Sequence, residues 1–233
     1  MTGTLINVGT VLGGTLIGVL IGHRLPDAMQ QRVLWGLGMV TLVLGVDNAL
    51  AWDDTNPIIV MGAVLLGGIA GEAIGIERHL GRLGDAIQAR FSGPGHSRVS
   101  EGFVTASLLF CVGPLTIVGS IEDGLTGDWS TLGVKALLDG FASIAFAATL
   151  GWGVGIAAAT VFVIQGAITL GAAPLDGVLG EGSEALAALT SAGGILIIGI
   201  SLKLLDLRDV KVGNYLPALL IAPCIVGLVS LWP

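Results

Sequence analysis

The chain has 233 residues, of which 53% are hydrophobic, 38 are glycine and only 12% are charged. A soluble domain carries about 25% charge to cover its surface, so a soluble fold and a disordered chain are both excluded. The net charge of −7 leaves no basic stripe to neutralise phosphates, which excludes nucleic acid as a partner.

A helix needs about 20 mostly apolar residues to cross the hydrocarbon core of a bilayer. Eight segments meet that length, at 4–22, 33–51, 57–75, 103–121, 132–150, 153–172, 186–204 and 215–232. The expected fold is therefore an all-α, polytopic transmembrane bundle forming a single integral membrane domain over 1–233.

Span one lacks a basic leader segment before its apolar run and reads as an uncleaved span. It carries Asn7 on one face with Thr10 and Gly14, and a stripe of Gly14, Gly18 and Gly22. Small residues four apart let helix backbones approach closely, which serves packing within the chain or a homo-oligomer built on glycine-rich faces. Span three has a similar set in Gly67, Gly68 and Gly71, followed by Glu72 near its inner end, which either gates the cytoplasmic side or, as the simpler expectation, pairs with Arg78 or snorkels. Residues 74–101 form the longest connection, where Ile76, Leu80, Leu83 and Ile87 recur at helical spacing between charges. That pattern predicts an amphipathic helix on the inner surface, then a linker through Ser92-Gly93-Pro94-Gly95.

Span four holds Cys111-Val112-Gly113-Pro114-Leu115-Thr116-Ile117-Val118-Gly119-Ser120. Pro114 removes a helix hydrogen bond and clashes with the preceding turn, and Gly113 lowers the cost of unwinding. Two readings stand: a broken helix whose carbonyls, with Thr116 and Ser120, meet a solute, or a kink satisfied by its neighbours. If span four re-enters instead of crossing, the count falls to seven. Glu122, Asp123 and Asp128 follow and predict an acidic outer vestibule.

Lys135 and Asp139 sit four apart on span five and share a face. An ionisable side chain as deep as Asp139 is a candidate functional group by default, or else a charge that Lys135 neutralises. Gly151-Trp152-Gly153 divides span five from span six, and Gln165 lies within span six. Asn7, Gly113, Pro114, Thr116, Ser120, Glu122, Asp123, Lys135, Asp139 and Gln165 are thus the candidates for a substrate pathway. Cys111 and Cys224 read as small hydrophobes, and no nucleophile, P-loop or metal-ligand motif is present. Neither enzyme chemistry nor a cofactor or metal is expected.

Orientation follows from charge, because cytoplasmic loops retain Lys and Arg. With the amino terminus outside, every Lys and Arg except Lys135 falls on the inner side, and both termini are outside. Short matches between 1–131 and 132–233, such as Leu5-Ile6-Asn7 with Leu137-Leu138-Asp139, suggest a two-repeat chain, parallel or inverted.

Three stretches carry a resemblance: Gly3-Thr4-Leu5-Ile6-Asn7, the segment from Cys111-Val112-Gly113-Pro114 to Glu122-Asp123-Gly124, and Asn214-Tyr215-Leu216-Pro217-Ala218-Leu219. Together they resemble the YqgA-like family of bacterial integral membrane proteins, domain of unknown function 554. The resemblance spans essentially the whole chain. It implies a bacterial inner-membrane protein of a kind often labelled a transporter, and it assigns no residue a role. The expected function is a secondary transporter or channel for a small polar solute or ion, the alternative a structural or accessory membrane protein.

Overall fold

The computed structural model describes residues 1–22, 24, 26–79, 82, 99–111 and 114–230. Gly113 and most of the 74–101 connection lie outside the described residues, as does the side chain of Pro114. The described residues form helices α1 (Thr2–Gly22), α2 (Asp27–Ala49), α3 (Pro57–Ile74), α4 (Val99–Cys111) and α5 (Pro114–Leu125). Then come α6 (Ser130–Leu150), α7 (Gly153–Leu170), α8 (Ala172–Leu179), α9 (Glu184–Leu204) and α10 (Ala218–Ser230). One-turn 3-10 segments extend α2 over Leu50–Asp54 and lead into α10 over Val212–Tyr215. No strand occurs among the described residues.

Local chemistry sets the ends. The Asn56 side chain accepts from the Ile58 amide with Pro57 at the first helical position, and Gly75 closes α3 at φ +75°. Ser183 caps α9 by accepting from Leu186 N–H. Gly151 takes φ +80° between α6 and α7, a left-handed backbone that glycine adopts without strain. The division expected at Gly151-Trp152-Gly153 is therefore present.

Seven of these helices are long and apolar enough to cross a membrane, and α4 with α5 makes an eighth crossing when counted as one bent span. The two halves meet at 60°. The Val99 end of α4 packs at Gly153, the start of α7, whereas Gly124 near the end of α5 packs at Thr169, close to the end of α7. The bent pair thus joins the two ends of the bundle.

Close backbone contacts fix which helices are neighbours. On α1, an added Cβ at Gly14, Gly18 or Gly22 would lie 2.3, 2.3 or 2.4 Å from the carbonyls of Gly140, Ile144 and Ala148 on α6. Nothing larger than glycine fits there, and α1 runs beside α6 in the same direction. The stripe on span one is therefore spent within the chain, while Gly9 and Gly13 have nothing within 4 Å. A Cβ at Gly194 on α9 would meet Ala49 N at 2.2 Å, which fixes α9 against α2 in the opposite direction. α3 lies against α10 and its lead-in turn through Gly67 and Gly71.

The central core gathers Val11, Phe110, Phe146, Leu150, Val154, Val161, Ile197 and Leu204. α9 is the most enclosed of the spanning helices. Rows of exposed apolar side chains, such as Leu5, Leu12, Leu16 and Leu20 on α1, face outward, where a bilayer accepts them.

Candidate functional site

Lys135 and Asp139 lie one turn apart on α6, and Asp139 is the tenth of its 21 residues. At about 1.5 Å per residue, neither end of the helix is closer than roughly 13 Å. The face they share turns toward α1, where Asn7 sits, fully buried. Asn7 Nδ2 donates to Asp139 Oδ2 at 2.9 Å. The Lys135 ammonium donates to the same oxygen and forms an ion pair with it. One carboxylate oxygen therefore receives a neutral and a charged donor from two helices. Ser143 is fully buried a turn further along α6, and Thr4 is fully buried a turn before Asn7. Neither hydroxyl has a partner among the described residues, and neither does Asn7 Oδ1.

The two helices that flank the break in span four, α4 and α5, both pack against α6. Thr116 Oγ1 donates to Phe110 O at 3.0 Å, so its hydroxyl satisfies a carbonyl near the break. Ser120, one turn beyond Thr116, is fully buried, and its hydroxyl has no partner among the described residues.

Asp123 departs from expectation. Its carboxylate is almost wholly enclosed and receives the Met1 ammonium at 2.7 Å and the Gly3 amide at 3.2 Å. It anchors the start of α1 instead of facing an outer vestibule. Glu122 is half-buried and Asp128 exposed. Asp128 accepts from the Ser130 amide at 2.9 Å, which holds its carboxyl below the usual range.

α7 packs against both α1 and α5. Gln165 on α7 is fully buried, and neither its amide nitrogen nor its amide oxygen has a partner among the described residues. Thr169, one turn on, has an orphaned hydroxyl as well. A Ser or Thr in a helix can rotate its hydroxyl back onto the carbonyl of the preceding turn. A glutamine amide has no such local refuge, so Gln165 is the more telling of the two. Leaving a buried polar group unpaired costs about 1–3 kcal/mol.

A second polar cluster fastens the other end. Asn214 Nδ2 donates to Glu72 Oε2 at 2.5 Å, and Asn214 Oδ1 accepts from the Glu77 amide at 2.8 Å. Glu77 Oε2 in turn accepts from the Gly213 amide at 2.8 Å. Glu72 thus bonds Asn214 where Arg78 was the expected partner. An added Cβ at Gly71 would fall 1.8 Å from Asn214 O, so α3 and this turn touch backbone to backbone. Beside it, a cavity of about 290 Å³ is lined by Glu77, Glu101, Thr105 and Lys203. A neighbour of about 300 Å³ shares Glu101 and Lys203 and adds Arg208 and Asp209.

Of the pathway candidates, the structure joins Asn7, Lys135 and Asp139 directly and sets Thr116, Ser120 and Gln165 on the helices around them. Thr4, Thr169 and the Glu72–Asn214–Glu77 cluster escaped the sequence reading. Thr4 and Thr169 lie one turn from Asn7 and Gln165, so a search for polar residues at helical spacing from each candidate would have found them.

These features define a polytopic α-helical membrane protein with a buried ion pair at the midpoint of a spanning helix. The family described as "Protein of unknown function (DUF554)" matches residues 2–227, and the chain belongs to it. It is 33% identical over 232 residues to "Uncharacterized membrane protein YdfK" of Bacillus subtilis (strain 168), covering 98% of this chain and 97% of that one. It is 29% identical over 237 residues to "Uncharacterized protein YqgA" of Escherichia coli (strain K12), covering 99% and 98%. No solved structure matches the chain.

Proposed function

We propose that this protein is a secondary transporter or channel that carries a small polar solute or ion across the bacterial inner membrane. The observation that carries the reading is the Lys135–Asp139 pair, buried with Asn7 on the helix that both halves of the broken span four pack against. Ionisable groups are expensive at that depth and are kept there where they serve a pathway. The unpartnered Gln165 amide and the hydroxyls of Thr4, Ser120 and Ser143 offer polar contacts to a passing solute. In this conformation the Met1 end is closed over Asp123, and cavities lined by Glu101 and Lys203 open at the opposite end. By the distribution of Lys and Arg, that opposite end is the cytoplasmic one.

A second reading, a structural or accessory membrane protein, draws on the same pair: Asp139 already has two donors and could serve only to tie α1 to α6. A solute screen by thermal shift, followed by uptake of the hits into proteoliposomes, decides between them, because a ligand that binds only the folded state raises its stability. Under the transport reading Asp139→Asn abolishes uptake. Removing one partner of a buried pair costs about 3–5 kcal/mol, whereas replacing both with apolar groups can be neutral. The double change Lys135→Met with Asp139→Leu therefore restores stability. Stability restored without uptake supports a pathway residue, and stability restored with full uptake overturns the reading.

A further inference from the structure

Resting on that reading, we infer that Asp139 is a binding site for a monovalent alkali cation, and that the Lys135 ammonium is its built-in competitor. Asp139 carries the site's single negative charge, and its oxygen Oδ2 is shared by Lys135 Nζ and Asn7 Nδ2. Asn7 donates to that carboxylate through Nδ2, and its other amide atom, Oδ1, is a buried acceptor with no donor among the described residues. Ser143 adds a buried hydroxyl oxygen one turn along the same helix, likewise without a partner among the described residues. A carboxylate with neutral amide and hydroxyl oxygens is the donor set that hard cations take.

The charge of the guest follows from the count of carboxylates. Among the described residues, no group of three or more His, Cys, Asp or Glu side chains gathers to hold a metal ion. One carboxylate balances one positive charge, and a divalent ion there would leave a net charge in the apolar interior, at a cost of several kcal/mol. Lys135 now supplies that single charge. It sits one turn nearer the start of α6, and a lysine's long stem lets its ammonium withdraw toward the interface when another cation arrives. Cation and ammonium therefore exclude one another at Asp139, which couples occupancy of the site to movement of the Lys135 side chain.

The test uses the full-length protein in detergent, with NaCl or KCl compared against N-methyl-D-glucamine chloride at constant ionic strength. In Lys135→Met the competitor is gone, and the melting temperature should climb with each tenfold rise in Na⁺ or K⁺ and stay flat in N-methyl-D-glucamine. In the double variant Lys135→Met with Asp139→Asn the dependence should vanish. A Lys135→Met protein that melts identically in all three salts overturns the inference, and so does one that folds in none of them while the double variant folds.

The Lys135→Met protein gives an independent reading, because dicyclohexylcarbodiimide attacks a protonated carboxyl and no ammonium there keeps Asp139 ionised. Modification of Asp139, followed by mass spectrometry, should fall as Na⁺ or K⁺ rises; modification independent of either cation overturns the inference. Cation binding without any flux in proteoliposomes would sink the transport reading and spare the site. Solute uptake with no cation dependence in either measurement would do the reverse.

Discussion

At the Asn214 end of the molecule, Glu72, Glu77 and Asn214 pair with one another or with a backbone amide, and Gly71 lets two backbones meet. Around Asp139, at mid-helix, the charges are paired, but the Gln165 amide and the hydroxyls of Thr4, Ser120 and Ser143 stand buried without partners among the described residues. Both clusters tie distant helices together, so stability alone explains the first. It does not explain the second, because in an apolar surround an unpartnered polar group is a standing cost that apolar residues of similar shape would remove. A satisfied network fastens; one left incomplete keeps acceptors and donors ready for something that comes and goes.

Substitutions can break or sharpen this contrast. The largest effect is expected at Gly71→Val, whose Cβ would enter the space of the Asn214 carbonyl. Neither backbone can retreat, so a loss of about 3 kcal/mol or more is expected, read as a large drop in melting temperature in detergent. Asn214→Leu comes next: it strands the Glu77 amide and Glu72 and should cost about 2 kcal/mol. A near-neutral result would mean that the Asn214 cluster is ornamental and the contrast false.

Gln165→Leu is the opposite case. No partner is lost, so the protein should keep its melting temperature or gain up to about 1–3 kcal/mol of stability, while uptake of any solute found by the screen is reduced at least tenfold. A Gln165→Leu variant that unfolds readily would show that the amide is bonded after all, and would erase the difference between the two clusters.

The smallest effect lies in the loop before α6. Asp128 is exposed, and the amide and hydroxyl of Ser130 lower its pKa below the usual value. A carboxyl whose pKa is depressed on folding contributes stability above its unfolded value and loses that contribution as pH falls through the folded one. Asp128→Asn should therefore melt slightly below the unaltered protein at neutral pH, with the gap closing as the pH drops below about 3.8, the ordinary value for this group. A gap that persists in acid would point to the side chain's shape instead of its charge.

The sequence by itself determined the helices. Apolar runs of spanning length and the Gly151 break are local features, read directly from residue type and spacing. The Lys135–Asp139 pair was legible for the same reason, since four residues along one helix share a face. Asn7 could be matched to Asp139 in depth, because rise per residue is fixed once the ends are known. That the two bond was decided only by the tertiary structure: 132 positions separate them, and α1 meets α6 because Gly14, Gly18 and Gly22 admit its carbonyls. The capture of Asp123 by the chain's own start, and of Glu72 by Asn214 across 142 positions, belong to the same class. Helix formation is settled within a few turns of chain, whereas the choice of neighbour depends on shape matched between whole helix faces, which no local pattern encodes.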